Sequence, residues 1–408
     1  MFEDIVGQDR AKSILTNAIK SDKIAQGYIF YGPEGVGKLK TALTFAKIVN
    51  CKENDIDKRP CNACNSCKKI DQFMHPDVRY YFSIPQVGAN LFENENDNEN
   101  EKKSSKGKFN ELYKGYIDNK INTPYKDFIF DTTTSIRIEQ LREIKKDSLL
   151  SRYEGRKKVF IIEGYESVTP HASNAFLKTL EEPPPDTHFI LIVRDIDKLL
   201  STILSRNLKI EFNLIPTVKI QDYLLKEVNC EPKKARIYSL ISNGSIKKAL
   251  QLYHEGNLVI FDMTLEFLEM VIKRDDVAFI EWIEKYFVKV MKAEEQDGKD
   301  DKDEKDKKVI KKMPKNTELF RGFIQYLCLW IKDIQMYCLL PASERIKSIV
   351  FVEHIELLEL YTKRNRAFLE LLPNLILDLN EYQIKHTGHV NQKLLLSQVY
   401  QSFVNTFK

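Results

Sequence analysis

At 408 residues, with 43% hydrophobic and 30% charged side chains, the chain is long enough for two or three domains and apolar enough to bury proper cores. A formal charge of +4 excludes a strongly basic nucleic-acid surface over the whole molecule, though not a local basic patch. No apolar run reaches bilayer length, and MFEDIVGQDR lacks the basic-then-apolar pattern of a signal peptide, so the expectation is a cytoplasmic protein with no membrane partner.

From the N-terminus, Ala11, Leu15, Ala18 and Ile19 recur at helical spacing between Asp9 and Lys20. Gly27–Tyr31 is a short apolar strand that runs into YGPEGVGKLK, and a helix is predicted over Leu39–Val49. That strand, loop and helix order is the context of a phosphate-binding loop. Gly32, Gly35, Gly37 and Lys38 are in place to cradle phosphate with backbone N–H groups and an ammonium. Leu39, however, stands where the motif has a serine or threonine to hold Mg²⁺. Binding of ATP or Mg²⁺ by this loop is therefore left open, the other reading being a loop kept for its shape.

Cys51, Cys61, Cys64 and Cys67 follow, a Cys-x9-Cys-x2-Cys-x2-Cys spacing that offers four soft ligands to one tetrahedral ion. With all four positions filled by protein, the expected metal is a structural zinc and not a catalytic one. Cys230, Cys328 and Cys338 read as core residues, and His75-Pro-Asp77 as a local turn. Residues 92–108 and 293–315 are polar or charged runs that lack the apolar side chains to offset ordering entropy. Both are read as mobile surface insertions, the first within a mobile interval of about 84–125; partner-binding tails are the alternative.

Two further apolar runs, 157–162 and 188–193, suit the middle of a parallel sheet covered on both faces. Between them a helix over Pro170–Leu180 stops at Glu181-Glu-Pro-Pro-Pro185. Beyond Leu214 strand signals fade and helical spacing takes over. The predicted architecture is an α/β domain over 1–213 with the cysteine module at 51–67, a small helical domain over 214–256, and a helical domain over 257–408.

Taken together, Val6-Gly-Gln8, the glycine loop, the four cysteines, His75-Pro-Asp77, the run Asn174–Pro184, Thr202–Arg206 and Gly244–Leu250 resemble the AAA+ clamp-loader subunits of bacterial DNA polymerase III. The resemblance covers about residues 1–250, and it implies a parallel-sheet AAA+ domain, a helical lid and a helical collar. It also implies a pentameric ring of gamma/tau-type and delta-type subunits that loads a sliding clamp onto primer–template DNA without sequence specificity. In hydrolysing members a strand ends in adjacent Asp-Glu. Here Glu163-Gly164 follows the strand, and glycine cannot orient water. Glu166 is the nearest substitute, expected to be turned out of reach. Val193-Arg194 replaces a phosphate-sensing threonine, and Lys247 stands where the family has a sensing arginine. Arg206, in Ser205-Arg206-Asn207, matches the arginine finger that completes a neighbour's ATP site, with a surface ion pair as the alternative role. The expected function is thus a non-hydrolysing subunit of the delta-prime type. The alternatives are an active gamma/tau-type ATPase, a stand-alone zinc-dependent nucleic-acid binder, or an AAA+ scaffold outside replication.

Overall fold

The computed structural model describes residues 1–85, 111, 113–126, 128, 134–255, 259–288, 316–363, 367–386 and 391–407. The described residues form two compact units, Met1–Gln251 and Leu252–Lys408.

The first unit is built on a five-stranded sheet. Strands β1 (Gly27–Tyr31), β2 (Val78–Phe82), β5 (Lys158–Glu163), β6 (Thr187–Val193) and β7 (Leu208–Glu211) lie in the order β2-β5-β6-β1-β7. All neighbouring pairs are parallel. A separate ribbon pairs β3 (Ile84–Pro85) with β4 (Thr134–Ser135). Successive side chains of a strand point to opposite faces, and here both faces are buried. Tyr28, Phe30, Val159, Ile161, Ile190 and Ile192 pack on one side with Ala11 and Leu15 of helix α1 (Asp9–Lys20) and Ala42, Phe45 and Ala46 of helix α2 (Lys38–Asn50). Ile29, Phe160, Ile162, Phe189, Leu191 and Val193 face the other side, against helices spanning Ile138–Leu149 and Pro170–Glu181. This alternation explains why these strands read as unbroken apolar runs. The result is an AAA+-like parallel-sheet core with flanking helices.

Three helices, Thr217–Lys226, Pro232–Ile241 and Ile246–Glu255, follow the last strand and bury Ile220, Leu224, Ala235 and Ala249. The Ile215 N–H donates to the Gly244 carbonyl at 2.9 Å, which ties the start of this helical segment to the turn before its last helix.

The described parts of 84–125 are not loose surface. Ile84 and Pro85 belong to the ribbon, and residues 113–122 form a helix. Tyr116 of that helix is buried, its ring stacked at 3.9 Å on Phe82 of β2. Aromatic residues spaced along a helix supply the apolar contact that the polar stretch before it lacks. The runs 92–108 and 293–315 lie outside the described residues.

Among its described residues the second unit has helices and no strand, the longest being Asn316–Leu339 and Phe368–His386. Its core is aromatic: Phe267 meets Phe279, Trp282, Phe323, Tyr400 and Phe403. Asp333, wholly buried, accepts the N–H groups of Val350 and Phe351 at 2.7 and 2.8 Å on one carboxyl oxygen, which offsets part of the cost of burying a polar group. Among the described residues no helix is long and apolar enough to cross a membrane.

Candidate nucleotide cleft and cysteine cluster

The C-terminal ends of β1, β5 and β6 lie side by side, Tyr31 opposite Val193 and Glu163 opposite Ile192. Open parallel sheets bind ligands at this edge. The glycine loop leaves β1 here under tight constraint. Gly32 has φ 132°, and a Cβ on it would lie 2.0 Å from the Phe212 carbonyl oxygen. Gly35 has φ 76°, and its Cβ would lie 2.1 Å from Ser245 Oγ. Gly37 caps α2, whose first residue is Lys38. Gln8 fastens the loop from behind: its Nε2 donates to the carbonyls of Val36 at 3.2 Å and Asn213 at 2.7 Å.

A cleft of about 940 Å³ opens above the loop, lined among others by Lys38, Lys120, Glu163, Glu166, Arg194 and Lys247. Lys38 is buried and donates to the carbonyls of Gly32 and Pro33. Burial pushes its ammonium down to about 8, against the pull of Glu163, Glu166 and Glu34. Glu163 accepts the Tyr80 hydroxyl, and Lys120 Nζ from the helix over 113–122 lies 3.3 Å from its Oε2. Burial disfavours a charged Lys120, but the Glu163 carboxylate outweighs it and holds the ammonium well above the usual lysine range. Glu34, within the loop, meets Arg194 at 2.7 Å and Lys247 at 3.0 Å. Glu166 lines the cleft, where a turn's displacement led us to expect it out of reach. A short 3-10 turn, Tyr165–Ser167, redirects it, so that its Oε1 accepts the Arg194 N–H at 3.1 Å.

These donors do not fit a Mg²⁺–nucleotide. Leu39 packs against the apolar cluster of the α1 and α2 face and has no oxygen to offer. The carboxylate that would meet the ion is held by an ammonium and a phenol, and Gly164 has no side chain to orient water.

The cysteines sit at the other end of the same helix. Cys51 caps α2, Cys64 caps the helix Asn65–Asp71, and the sulfurs of Cys51, Cys61, Cys64 and Cys67 lie within 4.8 Å of one another. A tetrahedral Zn–S bond of about 2.3 Å sets sulfurs roughly 3.8 Å apart, so the cluster suits such an ion. Backbone N–H groups of Cys61 and Cys64 point at the sulfurs of Cys51 and Cys61, at 3.4 and 3.3 Å. Burial would raise the Cys64 thiol, yet N–H donors of the Lys52 and Cys67 backbone outweigh it and bring it to about 6. These four residues are capable of holding a metal ion.

The module is tied down by charge. Lys47 of α2, buried, meets both Asp71 oxygens at 3.0 and 3.1 Å. Asp77 accepts the N–H groups of Tyr153, Glu154 and Gly155 at 2.9, 2.9 and 2.7 Å, so His75-Pro-Asp77 is a structural turn that anchors the loop before β5.

The family model described as "DNA polymerase III, delta subunit" matches residues 7–216, more than half of the chain. The chain belongs to this DNA polymerase III subunit family. It is 28% identical over 256 residues to the tau subunit of Salmonella typhimurium, covering 62% of this chain and 32% of the relative. It is 25% identical over 397 residues to the tau subunit of Bacillus subtilis, covering 95% and 59%. Against the delta-prime subunit of Bacillus subtilis it is 27% identical over 245 residues, covering 60% and 59%. The chain thus spans from about a third to three-fifths of the length of these relatives. The likeness is to DNA polymerase III subunits of the gamma, tau, delta and delta-prime names together, and not to delta-prime in particular.

In this DNA polymerase III family member Arg206 is not among the residues lining the cleft and follows the helix Ser201–Leu204. Its Nε meets Glu181 Oε1 at 2.8 Å and its Nη1 donates to the Thr202 carbonyl at 2.8 Å, with the side chain 39% exposed. The surface ion pair expected as the alternative is therefore present, on an arginine that remains partly exposed. Asn207 is buried, and its amide donates to the Ile203 carbonyl at 2.7 Å while filling the space beside Gly27. Sequence reading missed Lys120, Tyr80 and Glu34. Lys120 follows a polar, low-complexity stretch, and Glu34 occupies a position the loop motif leaves free. Only Tyr80, in the apolar alternation of β2, carried a legible signal.

Proposed function

We propose that this chain is a non-hydrolysing clamp-loader subunit. It takes a place in a pentameric ring with gamma/tau-type and delta-type subunits and lends Arg206 to a neighbour's ATP site. In that ring it helps load the sliding clamp onto primer–template DNA, meeting DNA through backbone phosphates and not through base sequence. The observation that carries the reading is the state of Glu163: the one carboxylate ending β5 is engaged by Lys120 and Tyr80, with Gly164 next in the chain and Leu39 lining the same cleft. Phosphoryl transfer needs a metal and a positioned water together, and in this reading neither Leu39, Gly164 nor the engaged Glu163 supplies them. The four cysteines would hold a structural zinc, and Arg206 would exchange Glu181 for the phosphoryl group of the neighbour. That exchange is cheap, since a half-exposed ion pair contributes at most about 1 kcal/mol.

Arg206→Ala in a reconstituted ring is the test. Hydrolysis at the interface that receives Arg206 should fall by about a thousandfold, while assembly of the ring is unchanged. A ring that hydrolyses ATP at the wild-type rate with Arg206→Ala would contradict the role.

A second reading, an active ATPase of the gamma/tau type, is favoured by one observation in the cleft and by the tau and gamma names of most similar relatives. Glu166 Oε2 is buried without a hydrogen-bond partner, close enough to Lys38 to act on its charge, and would be the base in such an enzyme. Glu166→Gln separates the two: it abolishes turnover in the second reading and changes nothing in the first.

A further inference from the structure

Cationic and anionic side chains both line the cleft, and those around the glycine loop and the end of β5 engage groups of the chain itself. Lys38 is bonded to two loop carbonyls, Lys120 to Glu163, and Arg194 and Lys247 both to Glu34. A phosphate site normally holds its cations ready for the ligand. Here a carboxylate from the loop itself, Glu34, stands between Arg194 and Lys247. The Lys247 N–H also donates to the Gly35 carbonyl at 3.2 Å, so the same residue closes the helical segment onto the loop through backbone and side chain.

Lys120 has the complementary position. Its helix is anchored by Tyr116, stacked on Phe82 and 3.3 Å from the Tyr80 hydroxyl. That anchorage fixes the ammonium on Glu163, and at 20% side-chain exposure it is largely screened from water. A carboxylate already holding a fixed monovalent cation has little to offer a divalent one.

We propose that Glu34 and Lys120 are built-in stand-ins, Glu34 for a nucleotide phosphate between Arg194 and Lys247 and Lys120 for a metal on Glu163, and that together they keep the cleft closed to Mg²⁺–nucleoside triphosphate. The inference concerns binding, and rests on the functional reading only in treating the cleft as one that does no chemistry. Burial would raise the Glu34 carboxyl, but the charge of Lys247, its hydrogen bond, and the charge of Arg194 outweigh it, so Glu34 is ionised at neutral pH. An ionised Glu34 opposes phosphate twice, by occupying the cations and by repelling like charge.

The test is equilibrium binding of a fluorescent ATP analogue to the full chain, with and without Mg²⁺. Wild type is compared with Glu34→Gln, Glu34→Asp and the double variant Glu34→Gln/Lys120→Met. Glu34→Gln should bind about tenfold more tightly than wild type, the removal of one close like charge, while Glu34→Asp stays near wild type. Adding Lys120→Met should make binding stronger with Mg²⁺ than without it, whereas Glu34→Gln alone is indifferent to the metal. Equal affinity of wild type and Glu34→Gln, whether tight or undetectable, overturns the proposal, as does Mg²⁺ indifference of the double variant. Glu34 is half-exposed, so an unchanged melting curve is expected and checks that each variant folds. Turnover by the wild-type chain would sink the functional reading instead, because the present proposal is read from affinities alone.

Discussion

Helix α2 joins two sites whose side chains contrast. At its C-terminal end Cys51 and three more cysteines bring together every donor a tetrahedral ion needs. At its N-terminal end Lys38 and the glycines keep the frame of a phosphate loop, while Leu39 and Gly164 offer no oxygen donor and Glu163 is engaged by Lys120. The difference teaches that a loop's shape and its chemistry are supported by different contacts. Gly32 and Gly35 are required by the Phe212 carbonyl and by Ser245, whether or not a nucleotide ever arrives. Nothing in that packing asks for a hydroxyl at position 39.

The largest effect should come from removing the metal. Zinc analysis is expected to give one equivalent per chain, and chelation should unfold the region around Cys51–Cys67 while the sheet stays folded, as read by hydrogen exchange. Uniform protection with and without chelator would break the comparison at its firmer end. Next, Asp77→Ala leaves three N–H groups without their acceptor and should cost about 2–4 kcal/mol in urea unfolding. Burial would raise the Asp77 carboxyl, but those three N–H groups outweigh it and hold its pKa below the usual value. Its stabilisation is therefore complete above the ordinary carboxylate pKa and is lost as the pH falls through the lower folded value. Asp77→Asn should flatten that acid limb.

Gly35→Ala should destabilise by about 1–3 kcal/mol, because the backbone is left-handed and the new methyl meets Ser245. Ser245→Gly added to it should recover only the part due to crowding. The smallest effect concerns Lys38. Its folded pKa, about 8, lies below the unfolded one, so the charged lysine burdens the fold in full below pH 8, and the burden fades as the pH rises to 10.5. The stability of Lys38→Met relative to wild type should accordingly fall across that interval in urea melts.

Much of this was legible in the sequence because the physics was local. Strands buried on both faces need unbroken apolar runs, and a strand that ends in a glycine loop before a helix puts that loop at the sheet edge, where the cleft opens. The cysteines declared themselves by spacing. What escaped was long-range. Lys120 reaches Glu163 across 43 positions, guided by an aromatic pair, Tyr116 and Phe82, that no periodicity announces. Glu166 was misjudged because a 3-10 turn, and not a strand or helix, sets its direction. Glu34 acquired a role only once Arg194 and Lys247 were brought to the loop by folding.

The central claim is that this cleft binds no reaction to its frame. Steady-state ATP hydrolysis by the pure chain, with Mg²⁺ and primed DNA and beside a Lys38→Ala control, tests it most directly. The account predicts no turnover above that control. Turnover that Lys38→Ala abolishes would make Glu166 the working base and the chain a motor, and would contradict it.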